Sequence, residues 1–461
     1  MGGQAQPNGK LIEAMARVGA SNSGLANRVR RLGSEQGLDL RTDHITVQKW
    51  RGGAQPRPET ARLIADVLSQ ISGESVTPAD IGFADTSEMP GLNDALQYPA
   101  DVTESISRLG AIARRDLAGD PRLTEQAVMP DAWTQPMLLW MLARPEVSRG
   151  HSGGQHVGLG DVEAVRQTTR MFLGLDFRYG GGHARSALAQ YFAQDVMPLL
   201  NGSYVADVGT QLYSAAAEVA ELLGWTAYDL GRHGLAQRYL VQSLRLAQAA
   251  NDRTLAARVM ASLSHQANYL GRYQIAAQLA RAAQEGARMT ASPAAMTMFL
   301  AMEARALAGA GDQRAVSNLL HEAEVTFERC DVTSEPEWIR YFDHAELAGE
   351  AAHCFRDLRI PLRTHEFVSR AVELTDPAYA RTLAFVRLVQ AAAHVHQGEP
   401  ERAAAIAADV VEQAGPLKSE RYLRYLRDLL ADLESHGSLA EVDKFVQLVR
   451  QRHPAVGARR S

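Results

Sequence analysis

One stretch of this chain has the spacing of a serine nucleophile: Gly150-His151-Ser152-Gly153-Gly154 fits Gly-x-Ser-x-Gly. That motif works only where a strand runs into the serine and a helix leaves it, holding the hydroxyl at a strained turn. Ala143 to Arg149, just before it, is polar and broken by Pro145, so no buried strand is expected and Ser152 reads as a loop residue. A second stretch, Asp176 to Arg185, runs through Gly180-Gly181-Gly182 into a helix start. Such a loop can cradle an anion on free N–H groups. It has neither the Lys-Ser/Thr of a P-loop nor a strand before it, so the expectation is a joint that lets two helices meet. Asp343, His344 and Glu346 lie close together on one helix, as on any solvated face. No His-Glu-x-x-His occurs, and Cys330 with Cys354 is too small a set for a disulfide framework or a cysteine metal site. No catalytic residue, metal or cofactor is expected, and the chain is not read as an enzyme.

What remains is binding chemistry, and it is unevenly distributed. The net charge over 461 residues is −5, which by itself does not suggest a nucleic-acid binder. Between Arg28 and Arg62, however, eight basic residues face four acids, a local excess of four positive charges. A phosphate-binding face near the N-terminus is therefore allowed. The elements there read as helices. Leu11, Ile12, Met15 and Val18 repeat at helical spacing; Ser21-Asn22-Ser23 offers N-cap chemistry before a short helix over Gly24–Val29. A third helix over Thr42–Trp50 ends at Gly52-Gly53, and Pro58 opens a fourth with the stripe Ala61, Ile64, Ala65, Leu68. Thr77–Ile81 reads as a final short turn.

Leu25-Ala26, Val47 three before Trp50, then Gly53, Pro56 or Pro58, and Ile64-Ala65 together resemble the Cro/C1-type (XRE) helix-turn-helix domain. The connection from Val29 to Asp43 is some ten residues longer than that family's tight turn. The resemblance implies duplex DNA as partner, with Val47 and Trp50 inward. His44, Thr46, Gln48, Lys49 and Arg51 are then left outward or flanking. Lys49 and Arg51 suit guanine edges or phosphates, Gln48 suits adenine, and Arg28 adds a basic flank. Asn22 and Ser23 would present backbone N–H groups to a phosphate.

Beyond residue 205 the chain repeats. Turn markers at Gly231, Gly271, Gly311, Leu358, Gly398 and Gly437 lie 40, 40, 47, 40 and 39 residues apart. A period of that length is the mark of a helical solenoid, whose units bury their apolar faces only against neighbours. Seven residues before each marker stand Gly224, Ser264, Ala304, Ala351, Ala391 and Leu430; five after stand Ala236, Ala276, Val316, Arg363, Ala403 and Val442. Small side chains in these rows let paired helices approach closely. The pattern resembles the tetratricopeptide repeat, with a longer unit and without its late proline. That resemblance places the concave groove on the positions six and three before each marker. Those rows read Trp225, His265, Arg305, Ala352, Ala392, Ala431 and Tyr228, Asn268, Ala308, Phe355, Val395, Glu434. Trp225, Tyr228, His265, Asn268 and Arg305 are accordingly the expected ligand-binding residues, for a peptide or small-molecule effector.

The expected architecture is all-α, a small helix-turn-helix domain followed by a tetratricopeptide-like α-solenoid. Its parts are a head over 8–83, a linker over 84–100, a helical connecting region over 101–205 and repeats over 206–453. Abundant Ala and Leu with only 6% aromatic residues favours close-packed helices over sheets. No apolar run reaches ~20 residues and no signal peptide opens the chain, so a cytoplasmic protein without a membrane span is expected. The two resemblances together imply a transcriptional regulator of the actinobacterial helix-turn-helix/tetratricopeptide kind. A homodimer is expected because one short head covers one half-site. The rival expectations are a scaffold that binds proteins and not DNA, and a nucleotide-dependent protein using the Gly180–Gly182 loop.

Overall fold

The computed structural model describes residues 7–35, 40–56, 58–72, 76, 78–83, 94–146, 150–331, 333–377, 379–413 and 417–457. Among them the secondary structure is helical, without a strand; the only sheet-like features are two isolated bridges, His151 to Tyr204 and His156 to Ser203. The chain divides into two compact units, residues 1–94 with 121–128 and residues 95–120 with 129–461. The expected linker falls largely on residues outside those described.

The first unit contains α1 (Gly9–Arg17), α2 (Asn22–Glu35), α3 (His44–Arg51) and α4 (Pro58–Ser72). Each start has a physical cause. Asn8 accepts from Leu11 N–H at 3.1 Å, Ser21 Oγ from Gly24 N–H at 3.1 Å, and Asp43 Oδ1 from Thr46 N–H at 2.7 Å. Asn8 also donates to the Ile81 carbonyl at 2.9 Å, tying the 3-10 turn Ala79–Ile81 back to the start of α1. The core is Leu11, Met15, Leu25, Val29, Val47, Trp50, Ile64 and Leu68. One expectation is corrected here. The second helix does not stop at Val29 but continues to Glu35, because Leu32 extends the apolar stripe of Leu25 and Val29 at helical spacing and packs on that core. The connection to α3 is shortened accordingly.

The second unit is a solenoid-like stack of helix pairs. Its first helices are α5 (Val102–Leu117), α6 (Asp131–Leu142) and α7 (Leu159–Tyr179), followed by a broken helical run over 185–200. Six pairs come next: α8 (Ala206–Asp229) with α9 (His233–Ala249), α10 (Arg253–Tyr269) with α11 (Tyr273–Ala287), and α12 (Pro293–Gly309) with α13 (Gln313–Phe327). Then follow α14 (His344–Asp357) with α15 (Pro361–Leu374), α16 (Ala380–His396) with α17 (Pro400–Gln413), and α18 (Glu420–Asp432) with α19 (Ala440–Arg452). The small-residue rows meet in the second pair, where Ser264 Oγ donates to the Ala276 carbonyl at 2.8 Å. A Cβ on Gly224 would stand 2.8 Å from Leu240. That contact is why nothing larger fits there.

α9 is buried nearly all round, polar residues included. Its Gln237, Gln242, Arg245 and Gln248 take up backbone groups of the segments that precede the repeats. Gln242 Nε2 donates to the Ala95 and Gln97 carbonyls, Arg245 to those of Pro99 and Ala100, Gln248 to that of Arg144, and Gln237 exchanges two bonds with Met129. Such bonds are net worth about 1 kcal/mol each, but leaving one buried partner alone costs about 1–3 kcal/mol. The buried amides therefore fasten irregular chain to the solenoid.

Candidate functional site

On α3, Val47 is fully buried and Trp50 is buried beside it. This leaves His44, Ile45, Gln48 and Lys49, spaced i, i+1, i+4 and i+5, on one exposed face. Ile45 is half exposed, an apolar residue among polar ones. Thr46 faces sideways, its hydroxyl bonded to Asp43 Oδ1 at 2.7 Å. Arg51, expected outward or flanking here, instead donates to Asn22 Oδ1 at 3.0 Å, joining the end of α3 to the start of α2. Arg51 Nε is buried without a partner among the described residues. Ser23 is exposed at the first turn of α2 and Arg28 is exposed further along it. Ser21, not Asn22 or Ser23, supplies the capping oxygen.

In the second unit the glycine loop meets an anion of its own chain. Gly181 N–H donates to Asp229 Oδ2 at 3.0 Å, and Gly182 N–H to the Lys418 carbonyl at 3.1 Å. A Cβ on Gly181 would come within 3.0 Å of Asp229 and Thr226. Asp229 is fully buried and also accepts from Arg381 at 2.8 Å and from Ser419 Oγ at 2.9 Å. One carboxylate thus joins the first repeat to the fifth, to the sixth and to the loop. Arg424 on α18 adds a bond to the Tyr269 carbonyl at 2.7 Å, and Tyr425 meets His353 Nδ1 at 3.2 Å. The sixth pair closes back on the first two and the groove becomes a cavity.

That cavity holds about 180 Å³. Trp225, His265 and Arg305, from the row six before the marker, line it. Tyr228 lies behind them, fully buried, sharing a 2.8 Å hydrogen bond with His265 Nδ1. Asn268 is half-buried and outside the lining. Four guanidinium groups enter the wall, and carboxylates meet them. Arg258 pairs with Glu221 at 2.6 Å, Arg305 with Glu350 at 2.5 Å, and Arg381 with Asp176 at 3.0 Å. The fourth, Arg421, lies over the rings of Trp225, Tyr228 and Phe385 at 5.0–5.5 Å. Burial, with Arg421 and Arg305 nearby, holds the His265 imidazole neutral, well below its ordinary pKa; burial with Arg305 and Arg356 does the same for His353.

Sequence reasoning missed His353 on this wall through a register error of one residue, and missed Glu350 and Glu346 because they lie outside the two rows it used. The residue with positive φ in the fourth pair is Arg359, at 54°, matching Gly231, Gly271, Gly311 and Gly398, whereas Gly437 of the sixth pair has φ −61°. Leu358 is therefore not the marker. Counted from Arg359, His353 joins Trp225, His265 and Arg305, and the small-residue rows gain buried Ala352 and Thr364 in place of Ala351 and Arg363. Proline at the first helical position was the available signal, since Pro361 and Pro400 both open second helices two residues after the turn. Nor is the Asp343–Glu346 cluster an ordinary solvated face: Asp343 caps α14 and Glu346 lines the cavity. Burial, then Glu350 and Asp343, push the Glu346 carboxyl up to about 8.

The extra length of the third spacing also has a place. Trp338 in the 3-10 turn Glu337–Ile339 stacks on Arg258 at 5.0 Å, Glu337 pairs with Arg170 of α7 at 3.1 Å, and Tyr341 packs on Phe177 at 5.0 Å. This connection covers the cavity on the α7 side. Ser152 is exposed in its loop, and the neighbouring His151 Nδ1 is bound at 2.7 Å to the Gly202 carbonyl. Cys354 is buried, Cys330 half-buried, and both are free thiols. Among the described residues no group of side chains could hold a metal ion, and no helix is long and apolar enough to cross a membrane. No curated protein matches the chain. Residues 11–84, the four-helix unit almost exactly as bounded by its core, match the family model of the SP15 N-terminal domain.

Proposed function

We propose that the protein is a cytoplasmic DNA-binding transcriptional regulator, with an XRE-like helix-turn-helix head over 8–83 and tetratricopeptide-like repeats over 206–453. The repeats bind an effector and serve as the platform of a homodimer. The observation that carries the reading is α3: a short helix capped by Asp43, anchored inward by Val47 and Trp50, with His44, Gln48 and Lys49 outward. A helix so held can enter a major groove without unfolding its support. Arg51 and Asn22, paired to each other, act in this reading by orienting α3 against α2, while Arg28 and Ser23 meet phosphate.

The cavity supports the effector half, since most of its wall comes from the first helices of successive repeats, with α7 and the connection at Tyr341 and Phe342 completing it. Ligands alter DNA affinity only by preferring one of two arrangements, and a ring closed across α18 offers a seam that can take two. Ile45 favours the rival reading, a scaffold whose α3 face docks protein, because an exposed aliphatic residue suits an apolar interface. The test is binding of the full chain to random and genomic duplex DNA as salt is varied. The regulator reading expects log K to fall by about one unit of slope per phosphate contact. No binding at about 50 mM salt leaves the scaffold.

A further inference from the structure

The cavity wall contains cationic donors that its own carboxylates do not use. Arg258 and Arg381 are engaged, as described above. Arg305 reaches Glu350 through one terminal nitrogen, and its Nε is buried with no partner among the described residues. Arg421 is more than nine-tenths buried; its Nε too has no partner, and its ion pair with Asp229 Oδ1 is long, 3.8 Å. The Nε atoms are sealed from the cavity, so what Arg421 offers a ligand is its terminal nitrogens, which that long ion pair engages only weakly. Around them stand flat apolar surfaces, Trp225 and Phe385, with Met298 and Met302 completing a deformable wall. The volume, about 180 Å³, is close to the ~150 Å³ of an apolar cavity that takes a benzene ring.

We propose that this cavity binds a small organic carboxylate, its acid group held by Arg421 and Arg305 and its body, one ring or a branched chain, packed against Trp225, Phe385, Met298 and Met302. This rests on reading the repeats as the effector-binding part. Guanidinium groups favour carboxylates because their N–H fork matches the two oxygens. His265 and His353, both uncharged, add a donor or an acceptor without competing for the anion. The Glu346 carboxyl stays protonated at neutral pH and does not repel it. Arg421 belongs to the last pair, whereas Arg305 and Trp225 belong to the third and first. A bound anion therefore draws together the helices that close the ring.

The experiment is calorimetric titration of the full chain at neutral pH with phenylacetate, with its neutral isostere phenylacetamide, and with benzylamine. Phenylacetate is expected to bind one per chain, at least about tenfold more tightly than the amide, as one charge-assisted hydrogen bond requires. Arg421→Gln is expected to erase the preference for acid over amide, and Arg421→Lys to keep part of it. Should Arg421→Gln fail to fold, the wild-type comparison of acid, amide and amine decides alone. Equal binding of acid and amide, preference for the amine, or no binding of the acid at millimolar concentration overturns the proposal. DNA affinity measured in parallel separates the two ideas. Acid binding that leaves DNA affinity unchanged overturns the effector reading and keeps the site; intact DNA binding without acid binding overturns the site alone.

Discussion

In the four-helix unit the polar side chains of α3 stand outside an apolar core of Leu25, Val47, Trp50 and Ile64. In the repeats Arg258, Arg305, Arg381 and Asp229 turn inward and pair across helices that are far apart in sequence. The first arrangement costs little, since exposed charges keep their water. The second must offset the desolvation of each ion by good geometry, and it breaks badly when one partner is removed. Charges face solvent in one unit and tie helices together in the other.

The largest effect should come from the seam. Asp229→Ala leaves Arg381, Ser419 and the Gly181 N–H without their shared acceptor, and the cost expected is about 3–5 kcal/mol. Chemical denaturation followed by far-UV circular dichroism would show the repeat transition moved to lower denaturant. An unchanged midpoint would mean that the seam is decorative and that the apolar rows alone hold the ring.

The outer face of α3 is the next place to press. Lys49→Ala or Gln48→Ala should remove about 1–3 kcal/mol of preference among DNA sequences if these side chains meet base edges. Arg28→Ala should weaken all sequences alike. Folding should be untouched, since none of the three side chains is buried. Competition binding with scrambled duplexes reads the difference, and loss of stability in either α3 variant would contradict the exposed placement.

Asp43→Ala tests the same helix from within. Without the capping carboxylate the Thr46 N–H and the Thr46 hydroxyl both lose their partner. Melting of the N-terminal unit should fall by a few degrees while the repeats melt as before. If both transitions move together, the two units are not independent in stability.

The smallest effect is a slope. Glu346 faces Glu350, Asp343, Arg381 and the Thr382 hydroxyl, and its carboxyl is raised from 4.5 to about 8. Between those values the folded chain holds a proton that the unfolded chain has released. Its contribution is therefore fully favourable at low pH and is lost as pH rises toward about 8. His265 and His353, depressed by burial, act in the opposite sense and cost stability as pH falls below 6.5. Glu346→Gln should flatten the decline in melting temperature between pH 4.5 and about 8 and leave the behaviour below 4.5 unchanged. A difference from wild type that does not vary with pH would show that Glu346 does not titrate in this window.

Much was readable before any coordinates, and for a local reason. Helical period, caps and the Val47–Trp50 spacing act within a few residues, so α1, α3, α4 and the inward face of α3 follow from neighbours in the chain. The helix-pair period does too, because small side chains let paired helices approach closely, Ser264 on Ala276 being one case. What went astray went astray locally as well: Leu32 carried α2 past its expected end, and Arg359, not a glycine, took the positive-φ position. That one-residue slip hid His353, whereas Glu350 and Glu346 lie outside both rows, nearer the start of the same helix.

The residues themselves thus determined a helical chain, a small capped unit with an exposed polar face, and a stack of pairs with Trp225, His265 and Arg305 in one row. Only the tertiary structure decided that the stack closes on itself. Asp229, Arg381, Ser419 and Gly181 have no pattern that announces their meeting, since up to 190 residues separate the partners of a single hydrogen bond. Their contact depends on how small rotations between successive pairs add up over six repeats, and each rotation is set by packing that no local spacing records. The cavity, its Arg421 wall and the burial that neutralises its imidazoles all follow from that closure.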